Sequence, residues 1–244
     1  MTSYDIYKNN DIAALIGPNP YAGRGIIVGK TADGTHAAVA YFIMGRSENS
    51  RNRIFRREGD AIMIHPYDLS KVEDPSLIIY APVRFLGNRL IVTNGDQTDT
   101  VYEGLQNGLD FAAALRSREF EPDAPNFTPR ISALLRFDAC DFNYSMSILK
   151  SADEKGSACS RFTFDYPALP GVGHFIHTYI TDGNPLPTFT GEPERVAIPD
   201  TIDEMTDTLW ASLNEDNRIS LYVQYTRLSD GQTESRIINR HEQQ

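Results

Sequence analysis

No apolar run in this 244-residue chain approaches the roughly 18–20 residues needed to cross a bilayer. The longest, such as Leu77 to Val83, end after one strand's length. The start, Met1-Thr2-Ser3-Tyr4-Asp5, has neither a basic leader nor an apolar h-region. A membrane protein and a secreted precursor are therefore not expected, and the cytoplasm is the expected compartment. Cysteine is scarce. Cys140 and Cys159 are too few for a disulfide framework and stand in no metal-ligand spacing, so two buried thiols are expected. Histidine is sparse as well, and only His174 and His177 lie close together. Positions three apart on a strand point to opposite faces, so no metal site is expected there. Basic charge is the minority, 23 residues against 33 acidic ones, for a net charge of -10. Such a surface repels nucleic acid and anionic membranes, and neither is an expected partner. The chain has no glycine-rich nucleotide fingerprint and no βαβ alternation, which removes support for a Rossmann or P-loop fold. It also lacks repeats, charge blocks and long linkers, so residues 1–244 are expected to form a single domain, with 1–22 as an irregular lead-in.

What is present is ordinary globular composition, 41% apolar and 23% charged. The basic side is lopsided, with 18 arginines and five lysines. Arginine is preferred where a planar fork grips a carboxylate or phosphate. Arg46, Arg51, Arg53, Arg56 and Arg57 crowd one short stretch, which suits a small anionic ligand and equally a surface ion-pair patch with Glu48, Glu58 and Asp60. Strands are expected at Ile26–Val28 and Ala38–Ile43 around a hairpin at Asp33-Gly34, then at Ala61–Ile64, Leu77–Phe85, Arg89–Thr93, Ile131–Ala139 and Phe142–Leu149. Further strands are expected at Arg161–Phe164, Phe175–Thr181 and Ile219–Arg227. Val101, Leu105, Leu109, Ala112 and Leu115 recur at helical spacing, with Thr98, Asp99 or Thr100 as the cap. A second helix starts at a capping box, Thr201 and Glu204, and carries Ile202, Met205, Leu209, Trp210 and Leu213 on its apolar face. Many hairpin-linked strands with few helices predict an α+β domain of antiparallel sheets with helices laid on them.

Four segments hold polar residues that a plain scaffold does not need. In Asn19 to Gly25, glycines flanking Arg24 let a backbone approach a ligand, and they equally suit a strand-entry turn. Gly45 to Arg53 follows an apolar strand and combines forks, amides and hydroxyls suited to phosphate and sugar oxygens. If that stretch is extended, Arg51 and Arg53 share a face. Thr93 to Asp99 joins a strand to a helix N-terminus, where unpaired N–H groups attract anions, although its side chains also suit turn and cap. Glu121 to Ile131 is a loop stiffened by three prolines, able to hold a carboxylate for acid–base work.

The ordered motifs Tyr21-Ala22-Gly23-Arg24, Gly45-Arg46-Ser47 with Asn52-Arg53, Ile79-Tyr80 leading to Arg84, Thr93 to Asp99, and Thr128-Pro129-Arg130-Ile131 carry a family likeness. Over about residues 19 to 135 the chain resembles the archaeal-type inosine monophosphate cyclohydrolases and their bacterial relatives. The resemblance implies a fold like that of the N-terminal nucleophile hydrolases, two stacked antiparallel sheets between helix layers. It implies dehydrative ring closure of a formylated imidazole carboxamide ribonucleotide, with Tyr80 and Glu121 as the catalytic pair. Arg24, Arg46, Arg51, Asn52 and Arg53 would hold phosphate and ribose, while Asn94, Thr98, Asp99 and Arg130 would shape the base pocket. No metal or cofactor is implied. The partner is a small purine nucleotide, and homo-oligomerisation is left open. The chain departs from the archaeal members in having Phe127 where they have an asparagine before the Thr-Pro-Arg triplet, and in its longer lead-in before Gly23. Two other readings stand beside this one: a non-catalytic purine-nucleotide sensor, and an amidohydrolase using Thr2 once Met1 is removed.

Overall fold

The computed structural model describes residues 5–72 and 79–242; Thr2 and the start of the expected strand at Leu77 lie outside them. Alternation of apolar side chains decides the layering. In strand β1 (Arg24–Lys30), Ile26 and Val28 face one way and Ile27 the other, and all three are buried. A strand buried on both faces needs cover on both sides. The remaining strands are β2 (His36–Met44), β3 (Ile54–Glu58), β4 (Ala61–His65), β5 (Val83–Leu86), β6 (Arg89–Thr93) and β7 (Arg130–Phe137). They continue as β8 (Phe142–Ser151), β9 (Cys159–Pro167), β10 (Val172–His177), β11 (Glu194–Ala197), β12 (Arg218–Arg227) and β13 (Thr233–Asn239).

Two antiparallel sheets result, one of six strands in the order β11-β10-β1-β2-β12-β13 and one of seven running β3 to β9 in sequence. Their facing sides share one core, with Ile26, Val28, Tyr41 and Ile43 from the first sheet against Val83, Val92, Ala133 and Met146 from the second. On the outside of the first sheet, α1 (Ile12–Ile16) and α5 (Ile202–Ser212) bury Ile16, Met205 and Leu209 against Ile27, Phe42 and Val223. On the outside of the second, α3 (Gln97–Gln106) and α4 (Phe111–Ala114) bury Val101 and Phe111 against Ile91 and Leu134. The architecture is thus α+β, with two sheets face to face and helices on their outer faces. Among the described residues no helix is long and apolar enough to cross a membrane.

Several expectations need correcting. The helix read across Val101 to Leu115 is two helices, because Gly108 turns left-handed (φ +81°) and Asp110 caps a new start by accepting from the Ala113 N–H at 2.7 Å. Its first residue is Gln97, earlier than the expected caps. Ser47 caps a short helix, α2 (Glu48–Arg51), so Arg51 and Arg53 do not lie along one extended segment. Of the strand expected to run to Phe85, residues 79–82 are irregular and the regular strand begins only at Val83. The strand expected at Phe175–Thr181 ends at His177. Neither thiol is fully buried: Cys140 is exposed in the turn between β7 and β8, where side chains face solvent, and Cys159 is half-buried on an edge strand.

Candidate active site

The two sheets meet the functional residues at one end of their shared core. Arg24 opens β1 opposite Ile43 of β2, on the inward side with Ile26. Gly23 before it has φ +77°, and an added Cβ would lie 2.2 Å from Thr178 Oγ1 and 2.5 Å from the Tyr179 ring. Only glycine fits there. Tyr41, two residues before Ile43, also faces inward, and its hydroxyl lies 3.4 Å from that of Tyr80. Tyr80 comes from the segment preceding β5; its carbonyl accepts from Ile64 N–H at 3.0 Å, and its hydroxyl donates to the Asn94 carbonyl at 2.7 Å.

Glu121 enters from the proline-rich loop, which closes on itself. Glu121 N–H donates to Thr128 O at 2.9 Å, and Asp123 accepts from the Thr128 N–H at 2.7 Å. Thr128 Oγ1 in turn lies 2.6 Å from the Tyr179 hydroxyl. The Glu121 side chain is half-buried, and among the described residues nothing donates a hydrogen bond to its carboxylate. Burial raises its pKa above the ordinary carboxylate value, against the pull of Arg130, Arg24 and Arg53.

The same groups act on one another. Burial raises the pKa of Tyr80, opposed by Arg53 and Arg24, and burial and Tyr80 raise that of Tyr41. For Arg24, burial works against the charge, but Tyr21, Tyr41, Tyr80 and Glu121 outweigh it and raise the pKa. Arg53 goes the other way, lowered by burial and then by the Arg24 cation, and its buried Nε has no partner. Two guanidinium groups, two protonated phenols and an unpartnered carboxylate therefore share one electrostatic environment. This is an arrangement for gripping an oxygen-rich anion and moving a proton beside it.

The other residues singled out from the sequence lie elsewhere or are engaged. Arg46, Arg51 and Asn52 line a separate cavity of about 330 Å³ with Tyr67, Lys71 and His241. Arg46 pairs with Asp182, donates to Gly183 O at 3.1 Å and sits 5.0 Å over the Tyr21 ring. Arg51 Nε donates to Gly45 O at 3.1 Å. Asn52 spends its amide on both backbone groups of Asp68, at 2.8 and 2.7 Å. The Asn94 side chain is likewise spent, donating to Pro129 O and accepting from Ile131 N–H, both at 2.9 Å. Thr98 Oγ1 bonds to Thr93 Oγ1 at 2.6 Å inside the strand–helix junction. Asp99 pairs with Arg84 on the surface. Arg130 donates to Asp96 at 2.7 Å and Gln97 at 2.8 Å.

Tyr41, Tyr21 and Tyr179 belong to the site's walls; Tyr21 stands in the first family motif, whereas nothing in the sequence marks Tyr41 or Tyr179. Tyr41 sits in an apolar run and alternates inward like any core residue, so nothing local marked it. Among the described residues no cluster of three metal-ligating side chains is present.

Comparison with known proteins agrees with the motifs. The family described as IMP cyclohydrolase-like protein matches residues 21–232. IMP cyclohydrolase of Methanopyrus kandleri is 38% identical over 118 residues, covering 47% of this chain and 58% of that protein. The Methanococcus aeolicus protein of the same name is 31% identical over 128 residues (51% and 62%), and that of Methanocaldococcus jannaschii 32% over 126 (51% and 61%). The chain spans about three fifths of the length of these curated relatives. With 21–232 inside one family's span, the chain belongs to the IMP cyclohydrolase-like proteins.

Proposed function

We propose that this protein closes the second ring of inosine monophosphate, the reaction named in its relatives, as a single-domain cytoplasmic enzyme of purine synthesis. The observation that carries the reading is the unpartnered, half-buried Glu121 carboxylate with raised pKa, set among Arg24, Arg53 and Tyr80. The layered sheets are read as the stack of the N-terminal nucleophile hydrolases, here without use of a terminal nucleophile.

In the substrate a formamido group and a carboxamide sit on neighbouring ring carbons, so much of the proximity advantage is built in. The carboxamide nitrogen attacks the formyl carbon, a C–N bond forms, and Glu121 takes the proton the nitrogen loses. Negative charge gathers on the formyl oxygen, where Arg24 and Arg53 stabilise it and Tyr80 supplies a proton by turning its hydroxyl away from Asn94 O. The carbinolamine then loses its hydroxyl as water, with Glu121 returning a proton to it, and the former formamido nitrogen gives its hydrogen back to the Tyr80 phenolate as the C=N bond forms, restoring both side chains. Arg46 and Arg51 hold the phosphate and ribose from the cavity they line. Asn52, Asn94 and Thr98 act as positioning residues, and Arg130 holds the floor of the base pocket beside Glu121.

The test is incubation with the formylated nucleotide. Growth of the hypoxanthine ultraviolet spectrum is expected, and binding without conversion sinks the enzyme reading in favour of a sensor. Glu121→Gln is expected to lower kcat by roughly 100- to 10,000-fold with nucleotide affinity kept. It should also abolish the acid limb of the pH–rate profile, because a base with a raised pKa loses activity as pH falls through that pKa. Full activity in this variant would refute the assignment.

A further inference from the structure

The sheets end in four edge strands, and three are occupied or short. β11 has four residues and is bridged by Asn10 to Val196. β3 and β13 are tied together, with Asn239 bonding both backbone groups of Phe55 at 2.8 and 3.1 Å and Arg57 reaching Ser235. β9 is different. It is nine residues long and pairs with β8 along its whole length, and among the described residues no other backbone group hydrogen-bonds residues 160–167. A long strand with one row of free N–H and C=O groups is a template for another strand. Proteins usually blunt such an edge, yet β9 carries no interior proline, no lysine and no bulge.

The sequence of β9 shows what fits it. Its inward face carries Phe162, Phe164 and Tyr166; Phe164 and Tyr166 pack on the inter-sheet core, and Phe162 is left 45% exposed. Its outward face carries Arg161, Thr163 and Asp165, all exposed. An antiparallel copy of the same strand, with Thr163 opposite itself, places each Arg161 opposite an Asp165 and each Phe162 opposite a Phe164. Moving the centre to Phe162 or Phe164 keeps aromatic residues opposed but loses both Arg161–Asp165 pairs, so the charges select the register. Opposite charges and aromatic pairs directly across a ladder are the stabilising combinations, and a two-fold axis delivers each of them twice.

We infer that β9 is a self-association edge: two copies of this chain pair through it about a two-fold axis at Thr163, joining their seven-stranded sheets into one of fourteen. Both charges already have partners within the chain and keep capacity beyond them, Arg161 lying 3.5 Å from Glu119. Asp165 uses one oxygen for Ser145, leaving the other. Arg161 bonds Cys159 O at 3.2 Å and Arg118 O at 2.9 Å, leaving further N–H groups on its fork.

Sedimentation of the full chain over a concentration series tests this. A dimer is expected, and Arg161→Asp is expected to raise its dissociation constant at least about tenfold, since two attractive pairs become repulsive. Combining Arg161→Asp with Asp165→Arg should restore it to within about threefold of the parent, because the pairs are re-formed with exchanged ends. A chain that stays monomeric, or a dimer indifferent to both changes, overturns the inference. Thr163→Cys, made with Cys140 and Cys159 replaced by serine, adds a readout that does not disturb Arg161. The exposed thiols meet at the axis and should give a disulfide-linked dimer under mild oxidation, whereas no cross-link in that variant refutes the register.

Discussion

His174 is closed in between the sheets, stacked on Tyr166 with ring centroids 3.6 Å apart and with Nδ1 2.6 Å from the Tyr144 hydroxyl. Burial, and then the cation of Arg195, pull its pKa from 6.5 down to about 4. A folded-state pKa below the unfolded one means that, under acid, the unfolded chain binds a proton the folded chain refuses. Stability should therefore be unaffected by this group above pH 6.5 and fall as the pH drops from 6.5 toward about 4. His174→Phe keeps a ring in the stack and removes the titration. It should cost roughly 1–3 kcal/mol at pH 8 by leaving the Tyr144 hydroxyl unpaired, and should flatten the decline of the urea midpoint across the acid window. Parallel slopes for the two proteins would assign the acid sensitivity to other groups. At this scale the sequence was readable where chemistry is unusual and mute where it imitates packing. Arg24, Tyr80 and Glu121 stood out in motifs and do gather. Tyr41 could not stand out, and His174 stood out only through its spacing from His177, because a phenol or imidazole in an apolar strand looks like core until the opposite sheet is in place. Arg46 and Arg53 are seven positions apart and read alike, yet the turn of α2 sends one to the surface with Asp182 and the other inward.

Among the elements, α5 shows how a local signal becomes a layer. Thr201 Oγ1 accepts from the Glu204 N–H at 3.2 Å, and Ile202, Met205 and Leu209 then cover the outer face of the six-stranded sheet. Thr201→Ala should cost about 1 kcal/mol through the lost cap, lowering Tm by about 2–4 °C for a chain of this size, while Thr201→Ser should be nearly silent. Calorimetry of the three proteins decides it, and equal loss in both variants would place the effect in packing of the threonine methyl rather than the cap. The capping box, the Asp33-Gly34 hairpin and the alternating strand Arg218–Arg227 were legible because their causes lie within a few residues. The elements that escaped owe their form to distant partners. β3 is an arginine-rich segment whose strand exists because Ile54 to Glu58 pair with Ala61 to His65 and because Asn239 grips Phe55. β13, with Thr233 to Arg236 polar, is a strand because β12 offers it a ladder. The sheet order, with β10 beside β1, depends on a pairing such as Gly25 opposite His177, more than a hundred residues apart, that no local pattern encodes.

For the molecule as a whole, a body of net charge -10 keeps two guanidinium groups together at one end of its core. Tyr41, Tyr80 and Glu121 favour the charge of both, but for Arg53 burial and the Arg24 cation outweigh them, and its Nε is unpartnered. A buried cation whose charge is disfavoured in this way is expected to destabilise the empty protein, and on the proposed function it is kept for the oxygen-rich ligand it would grip. Arg53→Met fills much the same volume without the charge. The empty variant should be as stable as the parent or up to about 2 kcal/mol more so, a Tm rise of as much as about 4–8 °C. Its kcat/KM should fall by more than about 100-fold, because the developing oxyanion loses a donor. Inosine monophosphate should also raise its Tm less than it raises the parent's, since ligand stabilisation follows affinity. Thermal denaturation with and without the nucleotide, beside initial rates, separates the possibilities. A variant that is both less stable and fully active would make Arg53 a structural residue, and its proposed role beside Arg24 at the formyl oxygen would have to be abandoned.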